Sequence, residues 1–225
     1  MLQIYKKFDA ANIRGVLFDM DGVVLDSEAL YARFWREAAA AFGHTMSYEQ
    51  ALGMRSLSKT AGQAQLESYF GPGVSRSEFR DKRVELMDAY TETHPIDLKP
   101  GIRELLDHLD SRGIPAAITT SSPLDRVRRY LEPHGLLGRF ACLCSGADVP
   151  RGKPEPDIYL HGADCLKLRP EQCIAIEDSP AGVLSAFRAG CVSVMVPDLD
   201  QPDAQTESLL FAKADSLADV IEMLL

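Results

Sequence analysis

Short apolar runs and longer amphipathic stretches alternate along much of the chain. Four runs are almost wholly apolar and are bounded by polar or turn-forming residues, at residues 15–18, 115–119, 173–176 and 192–196. Runs of this length and composition are typical of strands that are buried on both faces of a parallel sheet. Residues 141–144 form a fifth candidate strand. Because helix-like stretches separate the later runs, the pattern predicts an α/β fold with a Rossmann-like, doubly wound parallel sheet.

Residues 26–97 interrupt this alternation. No strand-like run occurs there, and apolar residues recur at the spacing of an amphipathic helix, as at Leu30, Phe34 and Ala38. The segment begins directly after the first predicted strand of the sheet. We therefore expect two domains: an α/β catalytic core built from residues 1–25 and 98–225, and a helical-bundle cap built from residues 26–97.

The amino-acid composition of the chain disfavours several classes of binding partner. The 225-residue chain has a formal net charge of −9, which disfavours binding to nucleic acid, itself a polyanion. No apolar run approaches the ~18 residues that a membrane-spanning helix needs, and the N-terminus lacks the apolar core of a signal peptide. Five scattered cysteines, none in a C-x-x-C pair, argue against a zinc site or a disulfide framework. These features predict a cytoplasmic protein with no membrane and no nucleic-acid partner.

The most informative polar motif is an acidic pair at the end of the first predicted strand. Asp19 and Asp21 are two positions apart, so in an extended segment their carboxylates point the same way, and Gly22 allows a sharp turn behind them. Open α/β sheets bind ligands at the carboxyl ends of their strands. Two like charges this close require a cation or a shared proton, which suits one carboxylate as a nucleophile and the other as an acid and base. Taken alone, the motif is equally compatible with an acidic surface turn.

A second acidic pair, Glu177 and Asp178, ends another predicted strand. Ser179 and Pro180 follow, a cap residue and a proline that together begin a helix. Carboxylate oxygens fixed at such a junction are suited to a hard cation such as Mg²⁺. The alternative role, complementing the positive end of the helix dipole, needs only one acid.

Hydroxyl groups and one lysine complete the candidate chemistry. Thr120 and Ser121 follow the strand predicted at residues 115–119, and hydroxyl and N–H groups at the start of a helix form a phosphate cradle. The alternative is a plain helix cap at Ser122 with incidental neighbours, and for Ser121 that alternative is favoured. Lys153 lies in a loop stiffened by two prolines, and a fixed ammonium stabilises a phosphoryl group as it gains charge. Each feature has an ordinary structural explanation by itself, and only the combination favours a phosphoryl-transfer site.

In this order and spacing, the motifs resemble those of the haloacid dehalogenase-like hydrolase superfamily, over about residues 14–197. The matching segments are Phe18-Asp19-Met20-Asp21-Gly22-Val23-Val24-Leu25-Asp26-Ser27-Glu28, Thr120, Gly152-Lys153-Pro154-Glu155-Pro156 and Glu177-Asp178-Ser179-Pro180-Ala181-Gly182. The pattern is similar to the branch of β-phosphoglucomutases and sugar-phosphate phosphatases, in which a helical bundle is inserted after the first strand as a cap.

The resemblance implies a catalytic role for each motif. Asp19 would be the nucleophile that carries a covalent aspartyl-phosphate, and Asp21 would be the general acid and then the general base. Thr120 and Lys153 would hold the transferred phosphoryl group. Ser121 is a further substrate-binding candidate, but on the residues alone and not through the resemblance.

The resemblance also implies a Mg²⁺ cofactor. Asp19, Asp178 and the backbone carbonyl of Asp21 would bind the ion, and Glu177 would lie in or near this shell. Dehalogenases of the superfamily lack the second aspartate and need no metal, so the presence of Asp21 and Asp178 favours phosphoryl transfer.

The sequence therefore favours a Mg²⁺-dependent phosphatase of a small phosphorylated metabolite, such as a sugar phosphate, and leaves two alternatives. A β-phosphoglucomutase-type phosphomutase of this branch would have a histidine shortly after the first motif, where this chain has Tyr31. A non-catalytic module that binds a phosphorylated metabolite would not require Asp21.

Specificity is expected to come from the cap. Arg55 lies in the segment Gly53-Met54-Arg55, which resembles the substrate-facing cap loop of the family, and is the candidate specificity residue. Lys59, Lys82 and Arg83 are interpreted as a solvated helix face. An enzyme of this size that closes its own site with a cap is expected to be a monomer.

Overall fold

The computed structural model describes residues 1–55, 57 and 59–225. Within them the chain divides into two compact units, each described by itself below: Met1–Asp26 together with Asp97–Leu225, and Ser27–Ile96. In the described residues, the first unit contains the strands and the second is helical. The roles of the first unit as a catalytic core and of the second as a cap remain predictions.

The bounds of the regular elements are as follows. The strands are β1 (Leu2–Ile4), β2 (Gly15–Phe18), β3 (Ala116–Thr120), β4 (Cys142–Ser145), β5 (Cys173–Glu177), β6 (Val192–Met195) and β7 (Ala212–Ala214). The helices of the second unit are α1 (Glu28–Ala41), α2 (Tyr48–Leu52), α3 (Lys59–Phe70) and α4 (Arg76–Thr91). Those of the first unit are α5 (Ile102–Arg112), α6 (Leu124–Leu131), α7 (Asp157–Cys165), α8 (Pro180–Ala189) and α9 (Ala204–Leu209).

The strands form one sheet, which over the described residues has seven members in the order β1-β7-β6-β5-β2-β3-β4. Neighbouring strands are parallel, apart from β1, which is antiparallel to β7. From the central β2 the chain adds β3 and β4 on one side and then β5, β6 and β7 on the other. The prediction of a doubly wound α/β sheet is confirmed.

The apolar runs identify the central strands well and the edge poorly. Each of the five predicted strands is present within about two residues of its expected bounds, because runs such as Gly15–Phe18 are buried at every position. The strands β1 and β7 were not predicted. Each has three residues, and a polar side chain, Gln3 or Lys213, stands at its centre. Strands this short carry no periodic signal.

Two short helices follow β6 in the chain. The helix α9 begins at Ala204, where the Asp203 side chain accepts a hydrogen bond from the backbone N–H of Thr206. The C-terminal residues Ala218–Leu224 form a 3₁₀ helix.

One face of the sheet is covered by α7 and α8. Small residues dominate this interface, among them Ala117, Cys144, Ala163 and Ala186, with the large side chain of Tyr159 between them. Small side chains let the helices approach the strands closely. Burying each larger aliphatic side chain of such a core contributes about 1.5–3 kcal/mol.

The helical unit has a core of its own. Trp35 of α1, Leu66 of α3 and Phe79 of α4 are buried in one cluster with Met46 and Met54. The helix α2 begins with a capping box, in which Ser47 and Gln50 satisfy each other's backbone N–H groups. The amphipathic spacing seen in the sequence thus corresponds to helices that share a single apolar interior.

The chain leaves and re-enters the first unit at one point. The backbone N–H of Asp26 donates to the carbonyl of Asp97 at 2.8 Å, and the N–H of Lys99 donates to the carbonyl of Val24 at 3.0 Å. Leu25 and Leu98 form an antiparallel bridge between these bonds. The two ends of the inserted segment are therefore joined as a short antiparallel ladder.

Candidate active site

The carboxyl ends of three neighbouring strands bring the predicted acidic and hydroxyl residues together. Asp19 directly follows β2, Thr120 ends β3, and Glu177 ends β5, with Asp178 after it. The strand β2 lies between β3 and β5 and is parallel to both. Because the chain turns to opposite sides of β2, these residues lie at a topological switch point, the usual place for a ligand in such a sheet.

The turn after β2 is fixed by its own backbone. The N–H groups of Val24 and Leu25 each donate to the carbonyl of Met20 at 2.9 Å. Gly22 has a φ of 81°, in the left-handed region that favours glycine. A β-carbon at Gly22 would also overlap the carboxylate of Asp178. Gly22 is therefore required both for the turn and for the space that Asp178 occupies.

Lys153 reaches the strand ends from the loop between β4 and α7. Its Nζ donates to Asp19 Oδ1 and to Glu177 Oε1, each at 2.5 Å, and to the carbonyl of Thr119 at 3.2 Å. The side chains of Lys153 and Asp19 are each only 10% exposed. A buried ammonium is thus held between two carboxylates that lie at the ends of different strands.

The loop that presents Lys153 is tied to α8. Ser185 Oγ, which is fully buried, donates to the carbonyl of Glu155 at 2.5 Å. Arg188 Nη1 donates to the carbonyl of Pro154 at 3.2 Å and to Glu155 Oε1 at 3.1 Å. These bonds fix the backbone on the C-terminal side of Lys153, so the position of the ammonium does not depend on the loop alone.

Glu177 is 1% exposed and accepts three hydrogen bonds. Its Oε1 accepts from Lys153 Nζ and from the Tyr159 hydroxyl, and its Oε2 accepts from Ser179 Oγ at 3.2 Å. Ser179 also caps α8 by accepting from the N–H of Gly182, as the sequence predicted. An ionised carboxylate has about four lone-pair sites, so these donors leave Glu177 with about one for another ligand.

Burial and neighbouring charges shift the pKa values of three side chains in the site. Burial raises the pKa of Asp19 to about 8; the charges of Glu177 and Asp21 add to the rise, and the Lys153 ammonium opposes it. Burial by itself disfavours the charged form of Lys153, but Asp19 and Glu177 outweigh it and raise the lysine pKa. Burial, with the charges of Glu177 and Asp19, also raises the pKa of Tyr159 well above 10.0. Lys153 and Tyr159 are therefore protonated donors at neutral pH.

The donor set fits a hard divalent cation. Asp19, Glu177 and Asp178 are all buried, and each offers a carboxylate oxygen within 4.8 Å of the others. The raised pKa of Asp19 indicates that these three groups do not readily ionise together beside one ammonium. A divalent cation would favour their ionised forms, and oxygen-only ligands are those that Mg²⁺ prefers. Asp19 and Asp178 would be the principal ligands, since Glu177 already accepts three hydrogen bonds.

The end of β3 differs from the sequence interpretation. Ser122 does not cap α6, whose cap position is held by Pro123 without a side-chain hydrogen bond. Ser122 is instead buried, and its Oγ donates to Asp21 Oδ2 at 2.9 Å. Its backbone N–H donates to Thr120 Oγ1 at 3.1 Å, whereas Ser121 is exposed. The structure thus brings Thr120 and Ser122 to the acidic cluster, and the role of Ser121 stays a prediction.

Arg55, the predicted specificity residue, lies in the helical unit. Its Nη1 is 3.6 Å from Glu28 Oε2, and both side chains are largely buried, 13% and 14% exposed. Its Nε donates to the carbonyl of Leu52 at 3.2 Å. The guanidinium is therefore held at the start of α1 rather than extended into solvent.

The interpretation of a solvated basic face is wrong for Arg83. Its guanidinium carbon lies 4.7 Å from the ring centroid of Tyr31 and 5.4 Å from that of Trp35, and the residue is 9% exposed. Stacking on aromatic rings is a favourable environment for a buried guanidinium. Lys59 is exposed, and Lys82 pairs with Glu85 at 2.7 Å on the surface, as expected.

Two residues that contact the site were missed in the sequence. Ser122 was visible as a serine beside the predicted hydroxyl motif, but only the turn after β3 directs it to Asp21. Tyr159 was visible as an aromatic residue six positions after Lys153, in the first turn of α7. A tyrosine in an otherwise apolar helix face is a signal that its hydroxyl has a buried partner.

The sequence of this chain is similar to sequences of known hydrolases. A family model described as haloacid dehalogenase-like hydrolase matches residues 13–190. Hexitol phosphatase A of Escherichia coli (strain K12) is 37% identical over 206 residues, which span 87% of this chain and 91% of that protein. A phosphorylated carbohydrates phosphatase of Thermotoga maritima is 30% identical over 222 residues, 95% of this chain and 100% of its own length.

A solved structure extends the comparison to three dimensions. CbbY from Rhodobacter sphaeroides, in complex with phosphate, superposes with a TM-score of 0.80 at 25% identity, over 94% of this chain and 99% of that one. In the described part of the chain, every helix is too short or too polar to cross a bilayer.

Proposed function

Because the chain belongs to the haloacid dehalogenase-like hydrolase family, we propose that it is a Mg²⁺-dependent phosphatase that hydrolyses a small phosphorylated metabolite through an aspartyl-phosphate on Asp19. Membership confirms the resemblance drawn from the motifs and the prediction of a hydrolase. The observation that carries the proposal is the buried Asp19 carboxylate, 2.5 Å from Lys153 Nζ at the switch point of the sheet.

Asp19 would act as the nucleophile. One of its carboxylate oxygens would attack phosphorus, and the bond between phosphorus and the oxygen of the leaving alcohol would break. The Lys153 ammonium, already beside Asp19 Oδ1, would stabilise the charge on the phosphoryl oxygens during this transfer. Thr120, buried at the end of β3, would help to hold the same group.

Asp21 would move the protons. As a general acid it would protonate the leaving oxygen, and as a general base it would take a proton from the water that attacks the phospho-aspartate. That attack returns the Asp19 carboxylate and releases inorganic phosphate. The hydrogen bond from Ser122 Oγ to Asp21 Oδ2, at 2.9 Å, supports this role, because it sets the direction of the carboxyl group.

Asp19 and Asp178 would hold the metal, with Glu177 close to its shell. When bound, Mg²⁺ would supply positive charge that reduces the repulsion between the Asp19 carboxylate and the phosphate ester. When Asp19, Glu177 and Asp178 are all ionised, their charge exceeds the single positive charge of Lys153, so a further cation would favour the binding of a dianionic substrate.

A phosphorylated sugar or sugar alcohol is the substrate class that we favour. The relatives named hexitol phosphatase A and phosphorylated carbohydrates phosphatase support it. Hydrolysis is favoured over a mutase reaction because Tyr31 stands at the position where the resembling mutases have a histidine. In this chain that tyrosine packs against the Arg83 guanidinium.

The test is phosphate release from a panel of hexitol, hexose and pentose phosphates, with phosphoglycolate as a smaller member. Assays with Mg²⁺ and with EDTA, and with the Asp19→Asn variant, separate this enzyme from contaminating phosphatases. We expect release that requires Mg²⁺ and is absent from the variant. No release from any member by folded, Mg²⁺-supplied protein would contradict the proposal.

A further inference from the structure

Tyr159 is a buried polar residue that the proposed mechanism does not use. It lies in the first turn of α7, is 0% exposed, and belongs to the apolar cluster between the sheet and α7 and α8. A phenylalanine would fill the same space. The hydroxyl is therefore not required for packing, and a buried hydroxyl is unfavourable unless it has a hydrogen-bond partner.

The Tyr159 hydroxyl points at Glu177, the residue whose carboxylate holds Lys153. Tyr159 OH donates to Glu177 Oε1 at 2.5 Å, the same oxygen that accepts from Lys153 Nζ at 2.5 Å. The tyrosine ring is also close to the ammonium, with Lys153 Nζ 5.2 Å from the ring centroid. Tyr159 thus contacts Lys153 directly through its ring and indirectly through Glu177.

The contact with Tyr159 helps to set the orientation of the Glu177 carboxylate. The terminal torsion of a glutamate side chain is broad, so its donors decide the direction of the carboxylate. Tyr159 fixes one oxygen and Ser179 Oγ fixes the other. Without the Tyr159 hydroxyl, the carboxylate would keep the bond from Lys153 and the longer one from Ser179 Oγ, 3.2 Å, so Glu177 and the lysine could shift together.

We propose that Tyr159 is a positioning residue for phosphoryl transfer, whose hydroxyl and ring hold the Lys153 ammonium beside Asp19. The inference rests on the proposed phosphatase function. Lys153 stabilises the charge that develops on the phosphoryl group in the transition state. Its displacement therefore weakens binding of the transition state more than binding of the ground state.

The test compares Tyr159→Phe, which removes only the hydroxyl, with Tyr130→Phe, the same change at a buried tyrosine of α6. Steady-state hydrolysis of p-nitrophenyl phosphate gives kcat and KM. Calorimetric titration with Mg²⁺ present gives the affinities for orthovanadate, which imitates the transition state, and for inorganic phosphate. Thermal melting reports on the fold.

For Tyr159→Phe we expect kcat to fall about tenfold with KM within about twofold, the size of effect expected when one hydrogen bond to a charged group is lost. Orthovanadate should bind about tenfold more weakly while phosphate binding changes by less than about twofold. Tyr130→Phe should retain kcat within about twofold.

Two results would overturn the inference while leaving the phosphatase proposal intact. One is an unchanged kcat in Tyr159→Phe beside an active wild-type enzyme. The other is an equal loss of orthovanadate and phosphate affinity in step with a lowered melting temperature, which would indicate a purely structural role. Wild-type protein that is folded but releases no phosphate would instead overturn both proposals.

Discussion

The carboxylate of Glu177 occupies the space that a β-carbon on Gly182 would need. Gly182 is in the first turn of α8, where its N–H donates to the Ser179 cap at 3.2 Å. The first turn of α8 and the Glu177 carboxylate that holds Lys153 are therefore packed against each other. They fit together because Gly182 has no side chain.

Replacing Gly182 by alanine tests this relationship. In a helix, Gly→Ala is ordinarily stabilising by about 0.5–1 kcal/mol, but here the overlap with Glu177 outweighs that gain. We expect Gly182→Ala to lower kcat about tenfold or more and to lower the melting temperature. Gly138→Ala is the control, because a β-carbon there meets no atom within 4 Å. Equal behaviour of the two variants would show that Glu177 moves without consequence.

Ser122→Ala should reduce turnover rather than substrate affinity. The substitution removes the 2.9 Å hydrogen bond to Asp21 Oδ2, and Asp21 would act only on the leaving oxygen and the attacking water. A hydrogen bond to a charged group is worth about 1.5–3 kcal/mol, so kcat should fall by about tenfold or more at a nearly constant KM. Ser193→Ala, which removes a buried 2.8 Å hydrogen bond to the carbonyl of Leu209, should keep kcat. A rise in KM alone would argue against the assignment.

Lys153→Met should cost both stability and activity. The change leaves Asp19 and Glu177 buried without their shared cation, and breaking a buried ion pair in this way costs about 3–5 kcal/mol. Urea unfolding should show that loss, and phosphate release should fall by about a hundredfold or more. Lys82→Met, which breaks an exposed pair with Glu85, should change stability by less than about 1 kcal/mol. Similar urea midpoints for both variants would be incompatible with a buried, charged Lys153.

Mg²⁺ should stabilise the folded protein. Ligand that binds only the native state at about 100 times its dissociation constant adds about 2.7 kcal/mol, so MgCl₂ should raise the melting temperature. Asp178→Asn removes one of the three buried carboxylates and should abolish most of the rise. Asp107→Asn, at an exposed surface pair, should keep it. A rise matched by NaCl of equal ionic strength would identify a general salt effect instead.

Arg55→Ala should change substrate preference. Arg55 is held by Glu28 at 3.6 Å in the helical unit, and its proposed role concerns the part of the substrate that is not transferred. We expect KM for the preferred metabolite to rise about tenfold while hydrolysis of p-nitrophenyl phosphate stays within about twofold. Glu28→Gln, which releases the guanidinium from its partner, should produce a smaller change in the same direction. An equal loss on every substrate would contradict a role in specificity.

The site residues that lie at the ends of strands could be predicted from the sequence. Asp19, Glu177 and Asp178 were predictable because each lies directly at or after a buried apolar run, and parallel strands bring such positions to one edge. Ser122 and Tyr159 were not, because their contacts depend on side-chain direction across 101 and 18 positions of sequence. Arg83 was misread for a similar reason: its charge suggests solvent, but two aromatic rings of α1 enclose it.

The paired ends of the inserted segment have a consequence for how this chain can change over time. Since Asp26 and Asp97 are hydrogen-bonded neighbours, a chain that passed directly from one to the other would need only a tight turn. The sheet would keep each of its described strands. The segment between them is therefore a self-contained insertion, and its replacement would leave the strand ends that present Asp19, Thr120 and Glu177 unchanged.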